Sequence, residues 1–320
     1  MAERLKTVLG KHGQLAGVRQ LEDIMPGVAF DFVDVKRMPD AYRDMARTQP
    51  YDICEMAPTM YLMALERGAR ITALPLPMTR RFRHSGIKKR KGLVIDSPKQ
   101  LEGRKVGVRN YSVTAAVWTR GVFADDYGLD ASKVQWVTEE AENLEDMVLP
   151  ANVTRLPEGR KIADAINAGE IDVAFDGLAG AGDAEVEMEE LVADAGEVER
   201  RWFERTGIYP IHGVIVVKNE VLARHPGIGL ALYEHCVRSK DAYLQALDAV
   251  VEPSGDDKRY RKLRQYTGDP LPYGFEENRT SLQALIRYAH QQGLVGRELR
   301  AEDVFIDPRT ATAGALARWE

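Results

Sequence analysis

The chain has 320 residues, 44% apolar and 29% charged, with a net charge of −5. This balance excludes a disordered tail, a collagen-like repeat and a disulfide scaffold, and leaves room for about two domains with a substantial core. A net acidic chain is not a nucleic-acid glove either. Locally the charge is uneven: 80–91 read RRFRHSGIKKRK, while 183–199 carry eight acids and no base. The basic run is consistent with a local anion site or with a solvated loop. Two cysteines, Cys54 and Cys236, have no motif spacing, so neither a disulfide framework nor a zinc site is expected. The first residues lack the apolar run of a signal peptide, and no window approaches the roughly 18 apolar residues of a membrane span. The expectation is a soluble cytoplasmic protein with no nucleic-acid or membrane partner.

In chain order, Leu5–Leu9 reads as a strand, followed by the Gly10–Gly13 turn and a helix over 14–24. Val28–Val35 is a second strand, Pro39–Thr48 a helix, and Tyr51–Cys54 a short buried strand. Pro58 opens a helix, where its missing N–H costs little; that helix ends at Gly68 and Ile71–Leu74 returns as a strand. Gly103–Val108 is another strand, leading through Arg109-Asn110-Tyr111-Ser112 into a helix from Val113 to Asp125. A helix over Lys161–Ala168 and a strand over Ile171–Phe175 repeat the device. Gly213–Val217 is a β-branched run, and helices follow near 229–249, 256–265, 278–292 and 301–304. Strands alternating with helices predict βαβ units and largely parallel sheets. The pattern divides into two α/β lobes, 1–97 plus 211–320 and 98–210, hinged near 97–102 and 209–213. A cleft between such lobes is a usual place for a small ligand.

Five stretches carry a resemblance: RRFRHSGI (80–87), LEGRKVGVRNYSVTAAVWTRGVF (101–123), GEIDVAFDG (169–177), YPIHGVIVV (209–217) and GDPLPYGFEENRTSLQALIRYA (268–289). Together they resemble the 4,5-dihydroxyphthalate decarboxylase family, which has the two-lobed type II periplasmic-binding-protein-like fold. The resemblance runs from about residue 50 to 305. It implies an enzyme that removes one carboxylate from a dihydroxylated aromatic dicarboxylate, with a small aromatic carboxylate as its partner and no cofactor.

Such chemistry needs cations for a dianionic substrate, a general acid near the ring, and little water at the departing carboxylate. Arg80, Arg81 and Arg83 are candidate anion clamps, because guanidinium forks match carboxylates. Extended backbone there puts Arg81 and Arg83 on one face, Phe82 and His84 on the other. Ser85 completes the motif. Tyr111, Ser112 and Thr114 lie where a strand turns into a helix, and free amides with the helix dipole attract a carboxylate; Ser112 also reads as an ordinary N-cap. Glu55 ends a strand at the cleft, and Asp176 occupies the equivalent place in the second lobe. His12 sits in the first loop, where it can face the ligand. His84 and His212 are the candidate proton carriers, since imidazole titrates near neutrality. A metal site from His84, His212, Glu55 and Asp176 lacks any ligand spacing. The competing reading, a solute-binding protein for a small carboxylate linked to a transporter, uses the same arginines and helix start but needs no proton donor. The C-terminal helices, with Leu282, Leu285, Ile286 and Ala289, pack on their own lobe or on a second copy in a homo-oligomer.

Overall fold

A computed structural model describes residues 2–144, 146–175 and 183–310. The strands are β1 (Glu3–Val8), β2 (Asp23–Met25), β3 (Val28–Phe32), β4 (Ile53–Met56), β5 (Ile71–Leu74) and β6 (Ile87–Arg90). They continue as β7 (Lys105–Val108), β8 (Gln135–Thr138), β9 (Val153–Arg155), β10 (Val173–Phe175), β11 (Met188–Glu190) and β12 (Val214–Lys218). The helices are α1 (Met38–Arg47), α2 (Pro58–Glu66), α3 (Thr114–Tyr127), α4 (Ile162–Asn167) and α5 (Ala195–Thr206). After them come α6 (Asn219–Arg224), α7 (Ile228–Ala246), α8 (Gly255–Thr267), α9 (Arg279–Gln291) and α10 (Ala301–Val304). Among the described residues no helix is long and apolar enough to cross a membrane.

The chain divides into two compact units, Met1–Arg80 with Ile211–Gln283 and Leu299–Glu320, and Arg81–Pro210 with Ala284–Glu298. The sequence reading draws the first boundary at 97. Residues 81–97 instead go with the second unit, because β6 pairs antiparallel with β10 and β11. The same pairing accounts for the uneven charge. Glu189 lies opposite Lys89 in the ladder and Glu190 opposite Lys88, while Lys91 pairs with Glu187 at 2.7 Å and Arg90 with Asp172 at 2.9 Å. The basic run therefore meets the chain's own acids across a sheet edge, in the opposite-charge pairing that steadies neighbouring strands.

In the first unit the sheet order is β2-β3-β1-β4-β12-β5, with β1 parallel to both β3 and β4. The chain leaves β1 toward β3 and returns through α1 to β4 on β1's other side. That reversal opens a crevice at the carboxyl ends of β1 and β4. In the second unit the order is β11-β6-β10-β7-β8-β9, and β7 has parallel neighbours β8 and β10. Its crevice lies at the carboxyl ends of β7 and β10. Strands β4 and β5 are buried at every residue, as strands covered on both faces require. In the second unit Val137, Ile162, Ala165, Ile166, Ile171 and Ala174 form a core where α4 covers the sheet.

One predicted element is replaced. Over 14–24 the chain makes two short 3-10 turns, Gly13–Leu15 and Val18–Gln20, and then β2. The Gly17 N–H donates to Ser239 Oγ at 3.0 Å, and a Cβ at Gly17 would lie 2.9 Å from that oxygen. The turn is pinned to α7, so the helical periodicity of this segment goes unused.

Candidate active site

At the first unit's crevice the ladder between β1 and β4 ends at Val8 and Cys54. One residue later on β4, Glu55 points its carboxylate into the gap that β1 vacates. Glu55 Oε2 accepts the Gly10 N–H at 3.0 Å and lies 2.9 Å from His12 Nε2, while Oε1 accepts the Tyr42 hydroxyl at 2.9 Å. A glycine packs against the pair on each side. A Cβ on Gly10 would sit 2.6 Å from His12 Nε2, and one on Gly213 would sit 2.9 Å from Glu55 Oε1.

Electrostatics follow from this packing. Burial pushes the Glu55 carboxyl up, but the His12 charge and the hydrogen bonds from His12, Gly10 and Tyr42 outweigh it, leaving Glu55 below the usual carboxylate range. Burial pulls His12 down, yet the Glu55 charge and hydrogen bond, helped by Asp256, raise it above the ordinary imidazole value. Burial and the Glu55 charge push Tyr42 well up, so it stays a hydroxyl donor. The His12 side chain is 18% exposed and that of Glu55 only 3%. The imidazolium is thus the accessible member of the pair, and the carboxylate is its sealed counter-ion.

At the second unit's crevice the turn 109–113 leads from β7 into α3. Here a substrate carboxylate is the expectation for Tyr111, Ser112 and Thr114. The structure fills the place with the chain's own acid: Tyr111 N–H donates to Glu142 Oε1 at 2.6 Å, and the Ser112 N–H and hydroxyl donate to Oε2 at 3.0 and 2.6 Å. Thr114 begins α3 and is buried. Arg120 is 1% exposed and holds the turn from beneath, Nη2 to the Tyr111 carbonyl at 2.6 Å and Nε to Gln292 at 2.6 Å.

His84 is buried in the second unit. It is 0% exposed, enclosed by Trp202, Phe123 and Tyr127. Its Nε2 meets Asp126 at 2.9 Å, and Nδ1 is buried without a hydrogen-bond partner. Burial outweighs the Asp126 interaction and lowers its pKa, which favours the neutral ring. The aromatic residues of α3 and α5 close over the ring.

The predicted alternation is real: Arg81, Arg83 and Ser85 are half-buried, Phe82 and His84 buried. Phe82 packs against Trp202, Phe203 and Tyr209. Ser85 gives its N–H and hydroxyl to Glu199 Oε1 at 3.0 and 2.8 Å. In the first unit, His212 is half-buried and its N–H donates to the Thr79 carbonyl at 3.0 Å, one residue before the Gly213 that abuts Glu55. Asp176 lies outside the described residues. Among the described residues no group of three or more His, Cys, Asp or Glu is arranged to hold a metal ion.

Of the predicted residues, the structure joins His12 directly to Glu55. Tyr42, Gly10, Gly213 and Glu142 are additional. Gly10 and Gly213 bracket predicted strands and were open to a close-approach reading, whereas nothing in local sequence links Tyr42 or Glu142 to its partner.

Two doubly wound sheets, each with a polar cluster at its switch point, define a type II periplasmic-binding-protein-like molecule. The alkanesulfonate-binding protein SsuA from Xanthomonas axonopodis pv. citri, bound to MOPS, matches over 96% of this chain and 99% of its own, with TM-score 0.56 and 14% identity. No family model matches. The sequence is 31% identical over 276 residues to a 4,5-dihydroxyphthalate decarboxylase from Comamonas testosteroni, covering 81% of this chain and 83% of that relative. It is 37% identical over 137 residues to a protein of the same name from Pseudomonas putida, covering 40% and 53%. The chain belongs to the 4,5-dihydroxyphthalate decarboxylase family.

Proposed function

We propose that this chain is a carboxy-lyase that removes one carboxylate from a dihydroxylated aromatic dicarboxylate of the 4,5-dihydroxyphthalate kind. The observation that carries the reading is the relationship to a decarboxylase of that name across four-fifths of the chain. The His12–Glu55 pair supplies the chemistry the reaction needs. The imidazolium of His12 gives its proton to the ring carbon that bears the departing carboxylate. The hydroxyl para to that carbon donates electron density and stabilises the protonated ring. The bond to the carboxylate then breaks, its electron pair restores the aromatic ring, and carbon dioxide leaves. One proton is taken up and one carbon dioxide released, and neutral His12 recovers its proton from water. Glu55 holds the ring of His12 in place and balances its charge throughout, as an oriented carboxylate does for a catalytic imidazole. Arg81 and Arg83 are assigned the anionic groups of the substrate.

The test is direct. Purified protein mixed with 4,5-dihydroxyphthalate is expected to release one equivalent of carbon dioxide and form 3,4-dihydroxybenzoate. Saturable binding without carbon dioxide release would instead identify a carboxylate receptor.

A further inference from the structure

We infer that Tyr42 is a positioning residue of this site: its hydroxyl locks the Glu55 carboxylate in the one orientation that presents Oε2 to His12. The inference rests on the proton-donor role given to His12 above. The terminal torsion of a glutamate is broad and roughly two-fold, so a carboxylate held at one oxygen swings freely. Glu55 is held at both. Oε1 takes the Tyr42 hydroxyl at 2.9 Å, and Oε2 takes the Gly10 N–H at 3.0 Å beside His12. The donors come from separate elements, Tyr42 from α1 and Gly10 from the turn after β1, so their agreement is a property of the fold. The backbone at Gly213 also comes close to Oε1: a Cβ there would lie 2.9 Å from it.

The charged and titratable groups around the pair are few. His12 faces Glu55 from β4 and feels Asp256 from α8. Glu55 faces His12 and Tyr42, with Cys54 beside it on β4 and the buried Tyr273 close enough to feel its charge. Of these, Tyr42 is the neutral group that donates to the carboxylate.

The variant Tyr42→Phe keeps the ring and deletes the donor. Two measurements on the full chain read the result: the titration of the His12 imidazole by nuclear magnetic resonance, and the pH profile of kcat/KM. Glu55 is expected to gain a proton more readily, so the acidic step of the pair moves to higher pH by about one unit, a tenfold change in its protonation constant. The acidic limb of kcat/KM should move with it, and kcat at the plateau should fall about three- to tenfold. A Tyr42→Phe protein with both the titration and the acidic limb unmoved overturns the proposal, whatever its melting temperature, and leaves Tyr42 a packing residue. The titration needs no turnover, so it judges Tyr42 even if the decarboxylase reading fails. Normal turnover with an unmoved titration sinks Tyr42 alone.

Discussion

At the scale of single residues, His12 and Glu55 divide one task by their exposure. The carboxylate is sealed and hydrogen-bonded at both oxygens, while the imidazole keeps an edge open to solvent. Removing a general acid typically lowers the rate by 10²–10⁴. His12→Gln should therefore lose about that factor in kcat while its affinity for the dicarboxylate stays within a few-fold, read by steady-state kinetics and calorimetry; an equal loss of affinity would make His12 a binding residue. His84 couples stability to pH. Its pKa in the folded protein lies below its unfolded value of about 6.5, so the unfolded chain binds the extra proton as the pH falls. The stability that depends on neutral His84 is fully present above about pH 6.5 and drains away below it. His12 has the opposite sign and loses its contribution as pH rises through its raised pKa. Denaturant unfolding at pH 7.5 and 5.5 should show a smaller loss in His84→Gln than in the unsubstituted protein. Equal losses would mean that His84 is charged in the fold.

Among the elements, the turns after β1 and β7 do comparable work with opposite charge. The first gathers a cation against a buried acid, and the second gathers an acid against backbone amides. Glu142→Ala would remove the acceptor shared by the Tyr111 and Ser112 N–H groups and the Ser112 hydroxyl, at about 1–3 kcal/mol for lost buried hydrogen bonds. Gly213→Ala would press a methyl onto Glu55 and Met78, with a typical overpacking cost of about 1–3 kcal/mol. Melting curves check both, and a variant as stable as the parent contradicts the packing described. Most of these elements were legible in the sequence. Apolar runs flanked by glycine or proline located β1, β3, β4, β5, β7, β10 and β12, because buried strands and the turns that bound them leave that pattern. Strands β6 and β11 were not legible: the basic charges of one read as an anion site or a solvated loop until the acids of the other are seen facing them. The turn over 13–20 was lost for a similar reason, since its fate depends on Ser239, far along the chain. Glu55 could be picked out from its place at a strand end, and His12 from its loop. Tyr42 and Glu142 could not, because their roles exist only once α1 and the 139–144 segment are folded over the crevices.

For the whole molecule, the family relationship and the site chemistry meet in one claim: His12, charged and held by Glu55, protonates the ring as carbon dioxide departs. Burial alone would discharge His12, and the compensating carboxylate has to be built from two distant stretches of chain. The motifs from 80 to 289 that signal the family are spread through both units, whereas His12 and Glu55 lie outside them. The most direct measurement is turnover of 4,5-dihydroxyphthalate in deuterated water by the unsubstituted protein and by His12→Gln, with the product examined by proton magnetic resonance. One deuterium is expected at the vacated ring carbon from the unsubstituted protein, and at least a hundredfold slower product formation from His12→Gln despite near-normal substrate binding. Product formed by His12→Gln at the unsubstituted rate would contradict it.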